Sequence, residues 1–276
     1  MKKIIIFVVL VLGAVYFFSN KYFYEPPVLR IGSECDYIPN SWEENFQSDS
    51  NIPVTNHKGY YAEGYDIQIA NLVAKELGMT PSVVKLKWED LIEALLRREI
   101  DVIFSSMLDT EERKRLIDFS IPYELKKTEY AVMVRKDGKF ADIKKLEDLY
   151  QARILSQKGT YFEDAIEQIP GAVKATPVIT VSDMIEELDN GKVDGIVIDV
   201  DTGTTYEKMD DDLKLITFPE GEGFIIGFSG VCAGVRKNDR RLLERIDTAI
   251  SKITPRMRQR VMDQVISKVW HNNPNP

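Results

Sequence analysis

Residues 100–123, IDVIFSSMLDTEERKRLIDFSIPY, bring together side chains that can bind a small anion. The apolar run 100–104 predicts a buried strand, and Ser105 and Ser106 stand at its carboxyl end. Thr110 is suited to cap the following helix, and Arg113 comes three residues later. Because helix N-termini favour anions and a guanidinium can hold a carboxylate through two hydrogen bonds, the segment predicts a carboxylate site. The alternative is a strand-to-helix connection in which Arg113 is a solvated helix residue.

Polar and aromatic residues also stand at the ends of other predicted strands, where open α/β sheets bind ligands. They are Glu34, Asp36 and Tyr37 after the first strand, Trp88 after the second, and Gly159, Thr160, Tyr161 and Asp199 in the second half of the chain. With Arg113 this set suits a zwitterion: the arginine for an α-carboxylate, Asp199 for an α-ammonium and the aromatic rings for a side chain. Structural alternatives remain open, since Trp88 can be a core aromatic, Asp199 a helix cap and one of the two serines a partner for backbone groups. Glu34 and Tyr37 can equally be ordinary loop residues.

Two successive series of strands and helices position these residues. Hydrophobic periodicity predicts strands at 28–33, 83–86 and 101–104, alternating with helices at 64–77 and 89–98. A second series has strands at 128–134, 153–155, 178–179 and 195–198 and helices at 143–150, 161–168 and 182–190, and a strand at 228–235 and helices at 239–252 and 256–269 follow. Alternating strands and helices predict an α/β fold with mainly parallel sheets. Residues 40–62 are expected to form a long polar loop.

The composition excludes several classes of function. The 36 basic and 44 acidic residues give a net charge of −8, which argues against a nucleic-acid surface. No spacing of histidines and cysteines predicts a metal site, and no motif calls for a cofactor. Cys35 and Cys232 are far apart in sequence, and whether they form a disulfide is left open.

The N-terminal residues 1–27 are predicted to be an export signal and linker. Met1, Lys2 and Lys3 precede an apolar run at 4–18, whose length suits a signal peptide better than a full membrane span. No cleavage site or lipid-attachment cysteine is evident, so the segment is either removed or retained as an anchor. In both cases the remaining chain is expected outside the cytoplasm.

Two short strings resemble enzyme motifs but lack the context that those motifs need. Residues 201–204 read Asp-Thr-Gly-Thr, as in aspartic proteases, yet the string occurs once and lies in an α/β chain. Residues 227–231 resemble a nucleophile elbow, but the fifth residue is Val231 instead of glycine. Neither string predicts catalysis.

An ordered series of segments resembles the amino-acid-binding family of bacterial extracytoplasmic solute receptors, which have the type II periplasmic-binding-protein fold. Besides residues 105–123, the segments are 28–42 (VLRIGSECDYIPNSW), 63–78 (EGYDIQIANLVAKELG), 87–103 (KWEDLIEALLRREIDVI), 156–163 (SQKGTYFE), 194–200 (DGIVIDV) and 227–239 (GFSGVCAGVRKND). The resemblance implies two lobes, each with an open and mainly parallel sheet, joined by two hinge crossings near residues 124–128 and 223–227. Lobe 1 is then 28–126 with 226–276, and lobe 2 is 127–225.

The resemblance also implies a role for each candidate site residue. Arg113 falls on the carboxylate-binding arginine, Asp199 on the ammonium-binding aspartate and Thr160 in the Gly-Thr loop of lobe 2. Trp88 and Tyr37 fall where side chains stack on the ligand, and Glu34 falls where an acidic residue meets its distal group. Ser105 and Ser106 complete the expected set. Leu108 stands where the family often has serine and Tyr161 where threonine is common, so the class of ligand is implied but its identity is not.

The function expected from this resemblance is binding of a polar, possibly cationic, amino acid, without catalysis. The lobes close around the ligand, and a membrane-bound ABC-type permease receives it from what is expected to be a monomer. Two alternatives remain: a ligand-sensing domain for a membrane partner, and a prephenate- or arogenate-type dehydratase on the same fold.

Overall fold

The computed structural model describes residues 26–124, 129–219, 221–226 and 230–272. The predicted export segment, most of the first predicted crossing and part of the second lie outside these ranges. In chain order the strands are β1 (Val28–Ser33), β2 (Asp36–Tyr37), β3 (Ser41–Glu44), β4 (Ile52–Pro53), β5 (Tyr61–Glu63), β6 (Thr80–Lys85), β7 (Val102–Ile103), β8 (Asp118–Phe119), β9 (Tyr130–Arg135), β10 (Arg153–Leu155), β11 (Val173–Lys174), β12 (Gly195–Asp199), β13 (Leu213–Ile216) and β14 (Gly234–Val235). The α-helices are α1 (Tyr65–Leu77), α2 (Leu91–Leu96), α3 (Glu111–Leu116), α4 (Tyr161–Ile166), α5 (Val181–Asp189), α6 (Val200–Met209), α7 (Arg240–Lys252) and α8 (Pro255–Asn272), with short 3₁₀ helices at Trp88–Asp90 and Leu146–Leu149.

Two five-stranded sheets form the framework. The first has the order β6-β1-β7-β14-β8 and the second the order β11-β10-β12-β9-β13. In each sheet two neighbouring pairs are parallel and two are antiparallel. The expected α/β class with two open sheets is therefore confirmed, and both sheets are mixed, with antiparallel pairs beside the expected parallel ones. Antiparallel pairs arise because β14 and β9 enter their sheets from another part of the chain instead of from a strand-helix-strand unit.

Apolar side chains cover both faces of the two sheets. One large buried cluster joins helix α1, with Val73 and Ala74, to the cores of both sheets. Helix α2 packs Leu91 and Leu95 against the opposite face of the first sheet. Helix α5 does the same for the second sheet through Met184. Because both faces are covered, the ends of the strands are where polar groups can meet a ligand.

Residues 40–62, predicted as a loop, contain strands. Together with β2 they form a four-stranded sheet in the order β2-β3-β5-β4, with antiparallel pairs throughout. Its chain leads into α1 through Gly64, which has φ 127° and where a Cβ atom would lie 2.3 Å from the carbonyl oxygen of Asn40. Only glycine fits that approach and that backbone conformation. The strands are two to four residues long, too short to produce a hydrophobic alternation that stands out in the sequence.

Three other predicted elements differ in the structure. The helix expected at 143–150 is only the 3₁₀ turn Leu146–Leu149, and the strand expected at 178–179 is replaced by an isolated bridge between Gln157 and Val178. The strand expected at 228–235 is two residues long within the described part of the chain. None of the described helices is long and apolar enough to cross a membrane.

Candidate functional site

A cleft lies between the ends of the two sheets, and the space inside it, counted together with the open solvent at its mouth, is about 910 Å³. Nine of the ten predicted site residues line it: Glu34, Tyr37, Trp88, Ser106, Leu108, Arg113, Thr160, Tyr161 and Asp199. The tenth, Ser105, is buried behind the wall, where its hydroxyl oxygen accepts a hydrogen bond from the backbone N–H of Glu34 at 3.1 Å. The parallel pairs β1–β7 and β10–β12 bring these residues together because parallel strands end at the same edge of a sheet.

Arg113 is held by main-chain oxygens and by a ring. Thr110 caps α3 by accepting a hydrogen bond from the Arg113 N–H, which fixes the first turn. The guanidinium donates to the carbonyl of Leu108 at 3.1 Å and to that of Gly159 at 3.4 Å, and its Cζ lies 5.2 Å from the centre of the Trp88 ring. No carboxylate forms an ion pair with it in the part of the chain that the structure describes. Burial lowers the pKa of Arg113, but arginine stays charged at physiological pH, so the cleft wall carries a positive charge that no described carboxylate contacts directly.

The hydroxyl groups of Ser105 and Ser106 both form hydrogen bonds to other groups of the protein. The Ser106 hydroxyl donates to a carboxylate oxygen of Asp66 at 2.8 Å. Asp66 comes from the first turn of α1 and also accepts from the Tyr123 hydroxyl at 3.0 Å. Burial raises the pKa of Asp66 to about 7, against these hydrogen bonds. Asp66 was missed in the sequence, where it is indistinguishable from an acidic residue placed to favour the helix dipole.

Asp199 has both of the roles considered for it. As the N-cap of α6 it accepts the N–H of Thr202 at 2.9 Å, while its other carboxylate oxygen accepts the hydroxyl of Tyr37 from across the cleft. It is a cap that also faces the cavity, and burial raises its pKa. Tyr130 pairs with Asp199 in the register of β9 and β12 and lines the same wall.

Glu34 and Gln157 meet from opposite sides of the cleft. The Gln157 side-chain N–H₂ donates to the Glu34 carboxyl and, at 3.0 Å, to the carbonyl of Ile179. Glu34 is 4 % exposed. Burial, with the nearby charge of Asp36, raises the pKa of Glu34 to about 8. Gln157 was missed because an amide after a predicted strand gives no signal of its own.

The remaining aromatic and hydroxyl residues shape the rim. Trp88 donates its indole N–H to the carbonyl of Gly159 at 3.0 Å, so it bridges the cleft instead of lying wholly in the core. Thr160 donates its hydroxyl to the carbonyl of Gln157 at 2.7 Å and caps α4. Tyr161 is half-buried at the start of that helix. Tyr37 is half-buried in β2.

The cleft is strongly acidic. Among the described residues that line it, six are acidic and one is basic: Glu34, Asp66, Glu124, Glu129, Asp199 and Asp201 against Arg113. Such a lining favours a ligand that carries one carboxylate for the arginine and positive charge elsewhere. Cys35 and Cys232 are both free and buried. No cluster of histidine, cysteine and acidic residues suited to a metal occurs among the described residues.

The sequence profile of the bacterial extracellular solute-binding proteins, family 3, matches residues 29–264. The L-cystine-binding protein of Escherichia coli is 28 % identical over 249 residues, which cover 89 % of this chain and 83 % of the relative. The arginine-binding extracellular protein of Bacillus subtilis is 25 % identical over 227 residues, covering 82 % and 80 %. A solved substrate-binding protein of an amino acid ABC transporter superposes with a TM-score of 0.71 at 27 % identity, over 88 % of this chain and 99 % of that one.

Proposed function

Because the chain belongs to family 3 of the bacterial extracellular solute-binding proteins, as the sequence led us to expect, we propose that it binds an α-amino acid outside the cytoplasm and delivers it to an ABC-type permease. The relatives named above bind amino acids by their names, and they match nearly the whole chain. A binding role without catalysis agrees with these relatives. They give no support to the dehydratase alternative.

The observation that carries the proposal is the pairing of Arg113 with Asp199 across one cleft. An amino acid has one carboxylate and one ammonium on the same carbon, and it would compensate the unpaired guanidinium at one side and the buried carboxylate at the other. Charge-assisted hydrogen bonds of this kind are short, strong and directional. Trp88, Tyr37 and Tyr161 would then flank the side chain of the ligand.

The acidic lining supports a polar and cationic side chain. Glu34 lines the same cleft as Arg113 and is bonded to Gln157, and a basic group beside it would compensate the negative charge of the ionised carboxylate. An apolar side chain would leave Glu34 and Gln157 without a new partner. Arginine, which one of the two relatives binds by name, carries a guanidinium beyond the α-carbon, and cystine, named for the other, carries a second ammonium together with a second carboxylate.

We propose that capture proceeds by closure of two lobes, 28–126 with 226–276 and 127–225. Sheet membership supports this division, because the first sheet uses strands before residue 120 and after 233, and the second uses strands 130–216. Arg113 and Glu34 belong to one lobe, and Asp199, Thr160 and Gln157 belong to the other. A ligand held by both lobes stabilises the closed form, which a permease can recognise.

A thermal-shift screen of the twenty amino acids and cystine tests the proposal. A ligand at one hundred times its Kd stabilises the folded state by about 2.7 kcal/mol, which for a chain of this size raises the Tm by roughly 5–10 °C. We expect one or a few amino acids, with basic ones foremost, to produce such a shift in the exported chain. Absence of a shift with every one of them would contradict amino-acid binding. A permease gene beside this one would separate transport from the sensing alternative.

A further inference from the structure

Glu34 is a buried carboxyl, and the one side-chain hydrogen bond that a described residue makes to it comes from the opposite side of the cleft. Its backbone N–H is fixed by Ser105, so the position of the residue does not depend on its charge. One carboxyl oxygen accepts from Gln157, and no described residue bonds to the other. No described lysine, arginine or histidine forms an ion pair with it. A carboxylate in such a place is costly unless a ligand brings the missing positive charge.

The charged and titratable groups around Glu34 do not supply that charge. Asp36 lies two residues further along the chain and accepts a hydrogen bond from the Ser182 hydroxyl at 2.7 Å. Its negative charge raises the pKa of Glu34 further. The charge of Lys85 acts on Glu34 from a distance, but its Nζ forms an ion pair with a carboxylate oxygen of Glu43 at 2.5 Å. The Cys35 thiol and the Tyr206 hydroxyl also face this region, and burial raises the pKa of both to about 12, which leaves them neutral.

Gln157 completes the arrangement on the other lobe. Both of its side-chain N–H groups are used, one by Glu34 and one by the carbonyl of Ile179. Its amide oxygen has no donor among the described residues, and neither does the second oxygen of Glu34. Two acceptor atoms from two lobes therefore adjoin in the cleft wall, which suits a group with several N–H donors.

We propose that ligand binding is coupled to the proton on Glu34: a cationic side chain binds with Glu34 ionised and releases one proton to solvent, whereas a neutral side chain binds with the proton retained. This inference rests on the proposed amino-acid binding and adds a regulation by pH to it. The raised pKa of about 8 places the exchange near that pH. Selection between charged and neutral side chains then depends on pH, and Glu34 is the residue that sets it.

L-Arginine and L-citrulline form the matched pair of probes, because they have the same length and differ by a cationic against a neutral end. With a pKa of about 8, Glu34 is about 1 % ionised at pH 6 and half ionised at pH 8. We expect isothermal titration to show arginine affinity rising about tenfold or more between these pH values, and citrulline affinity changing less than about threefold. Titrations at pH 7 in phosphate and in Tris should report release of close to one proton with arginine only.

Glu34→Gln is the decisive variant, since it keeps the shape and the hydrogen bond but cannot ionise. It should remove the rise of arginine affinity with pH and the proton release. Gln157→Leu removes a hydrogen bond that lowers the pKa of Glu34, so the rise should move to higher pH. Asp142→Asn, at a carboxylate that is 96 % exposed, controls for the loss of one negative charge and should keep the wild-type profile. An unchanged profile in Glu34→Gln would overturn the coupling while leaving amino-acid binding intact.

Thermal unfolding of the ligand-free protein tests whether Glu34 holds its proton in the folded state. The folded-state pKa of Glu34 is raised above its usual value of 4.5, so its contribution to stability is full below that value and is lost as pH rises through about 8. The Tm of the wild type should therefore fall several degrees further than that of Glu34→Gln between pH 5 and pH 8. Equal falls in the two proteins would overturn the inference even if neither probe binds. Failure of every amino acid to bind would instead contradict the proposed function.

Discussion

Arg113 is oriented by two main-chain carbonyls and by the face of Trp88, and its charge has no acidic partner among the described residues. These contacts set the plane of the guanidinium before a ligand arrives, and the burial that lowers its pKa is a cost in the ligand-free protein. A carboxylate that binds there recovers that cost and gains two directional hydrogen bonds.

Replacing Arg113 by alanine should weaken amino-acid binding by about 2–5 kcal/mol, roughly thirty- to several thousand-fold. The ligand-free protein should keep its stability or gain a little, because an uncompensated buried charge is removed. Isothermal titration and thermal unfolding measure the two effects. Arg115→Ala, on the exposed side of the same helix, is the control and should bind normally. Binding that survives in Arg113→Ala would show that the carboxylate is held elsewhere.

The candidate residues could be predicted from sequence where their type and their place after a strand both indicated a role. This was enough for Arg113 and Asp199 to be chosen, although the role proposed for them has still to be tested. It did not reveal that the Ser106 hydroxyl turns to Asp66, or that Gln157 faces Glu34, because those bonds join residues 40 and 123 positions apart. Long-range hydrogen bonds between short polar side chains leave no periodic pattern in a sequence.

Where the 3₁₀ helix Trp88–Asp90 meets the loop before α4, a set of polar contacts spans the mouth of the cleft. Lys158 pairs with Glu89 at 2.7 Å, and Trp88 donates to Gly159 at 3.0 Å. These contacts exist only when the two elements are close together. They therefore hold the two elements together, and Trp88 does so while it also lines the cleft.

Lys158→Met should speed ligand dissociation by about two- to threefold at low salt, and less at high salt, since the ion pair is exposed and screened. Glu89→Gln should have the same effect, and the double variant should add little to either. Stopped-flow dissociation measures the rates. Lys192→Met breaks an exposed ion pair with Glu187 within the second lobe and is the matched control. Equal rates in Lys158→Met and the control would mean that the contact does not hold the cleft closed.

At the level of elements, the sequence predicted well what periodicity encodes. Helices α1 and α7 begin and end within one residue of the expected bounds, and β10 has the bounds that were predicted for it. Amphipathic patterns and flanking turn residues define these elements in the sequence. The sheet formed by β2 to β5 was not predicted. Its strands carry charged and polar side chains, include Pro53 and are too short for alternation to be significant.

Across the whole molecule, the last helix holds the four-stranded sheet in place. Lys268 of α8 bonds to the fully buried carboxylate of Glu63, which also accepts from Ser50 at 2.6 Å and from Gln68 at 2.8 Å. Burial acts to raise the pKa of Glu63, but the bonds from Lys268, Ser50, Gly64 and Gln68 outweigh it and lower the pKa. The pair therefore joins the C-terminal end of the fold to the segment that leads into α1.

Lys268→Met should destabilise the folded protein by about 2–4 kcal/mol at pH 7, because it leaves a buried carboxylate without its cation. The folded-state pKa of Glu63 is lowered, so the contribution of its charge to stability is fully present above the usual value of 4.5 and is lost as pH falls through the folded-state pKa. The destabilisation by Lys268→Met should shrink over the same range. Urea unfolding of the wild type and the variant, at pH 7 and at acidic pH, measures the two losses of stability. Lys252→Met, at the exposed pair with Glu76, is the control and should have little effect. A loss independent of pH would point to packing as its cause.

The bonds from Tyr37 to Asp199 and from Gln157 to Glu34 have a consequence for how affinity can be changed. They join the two sides of the cleft through the very groups that are proposed to receive the ligand, so a ligand competes with Tyr37 for Asp199 but meets at Glu34 the carboxyl oxygen that Gln157 leaves free. Measured affinity is then a difference between two sets of bonds. Weakening the bond between Tyr37 and Asp199 is therefore expected to tighten binding, whereas weakening the pair of Lys158 and Glu89 at the mouth is expected to loosen it, so the two regions can be tuned in opposite directions.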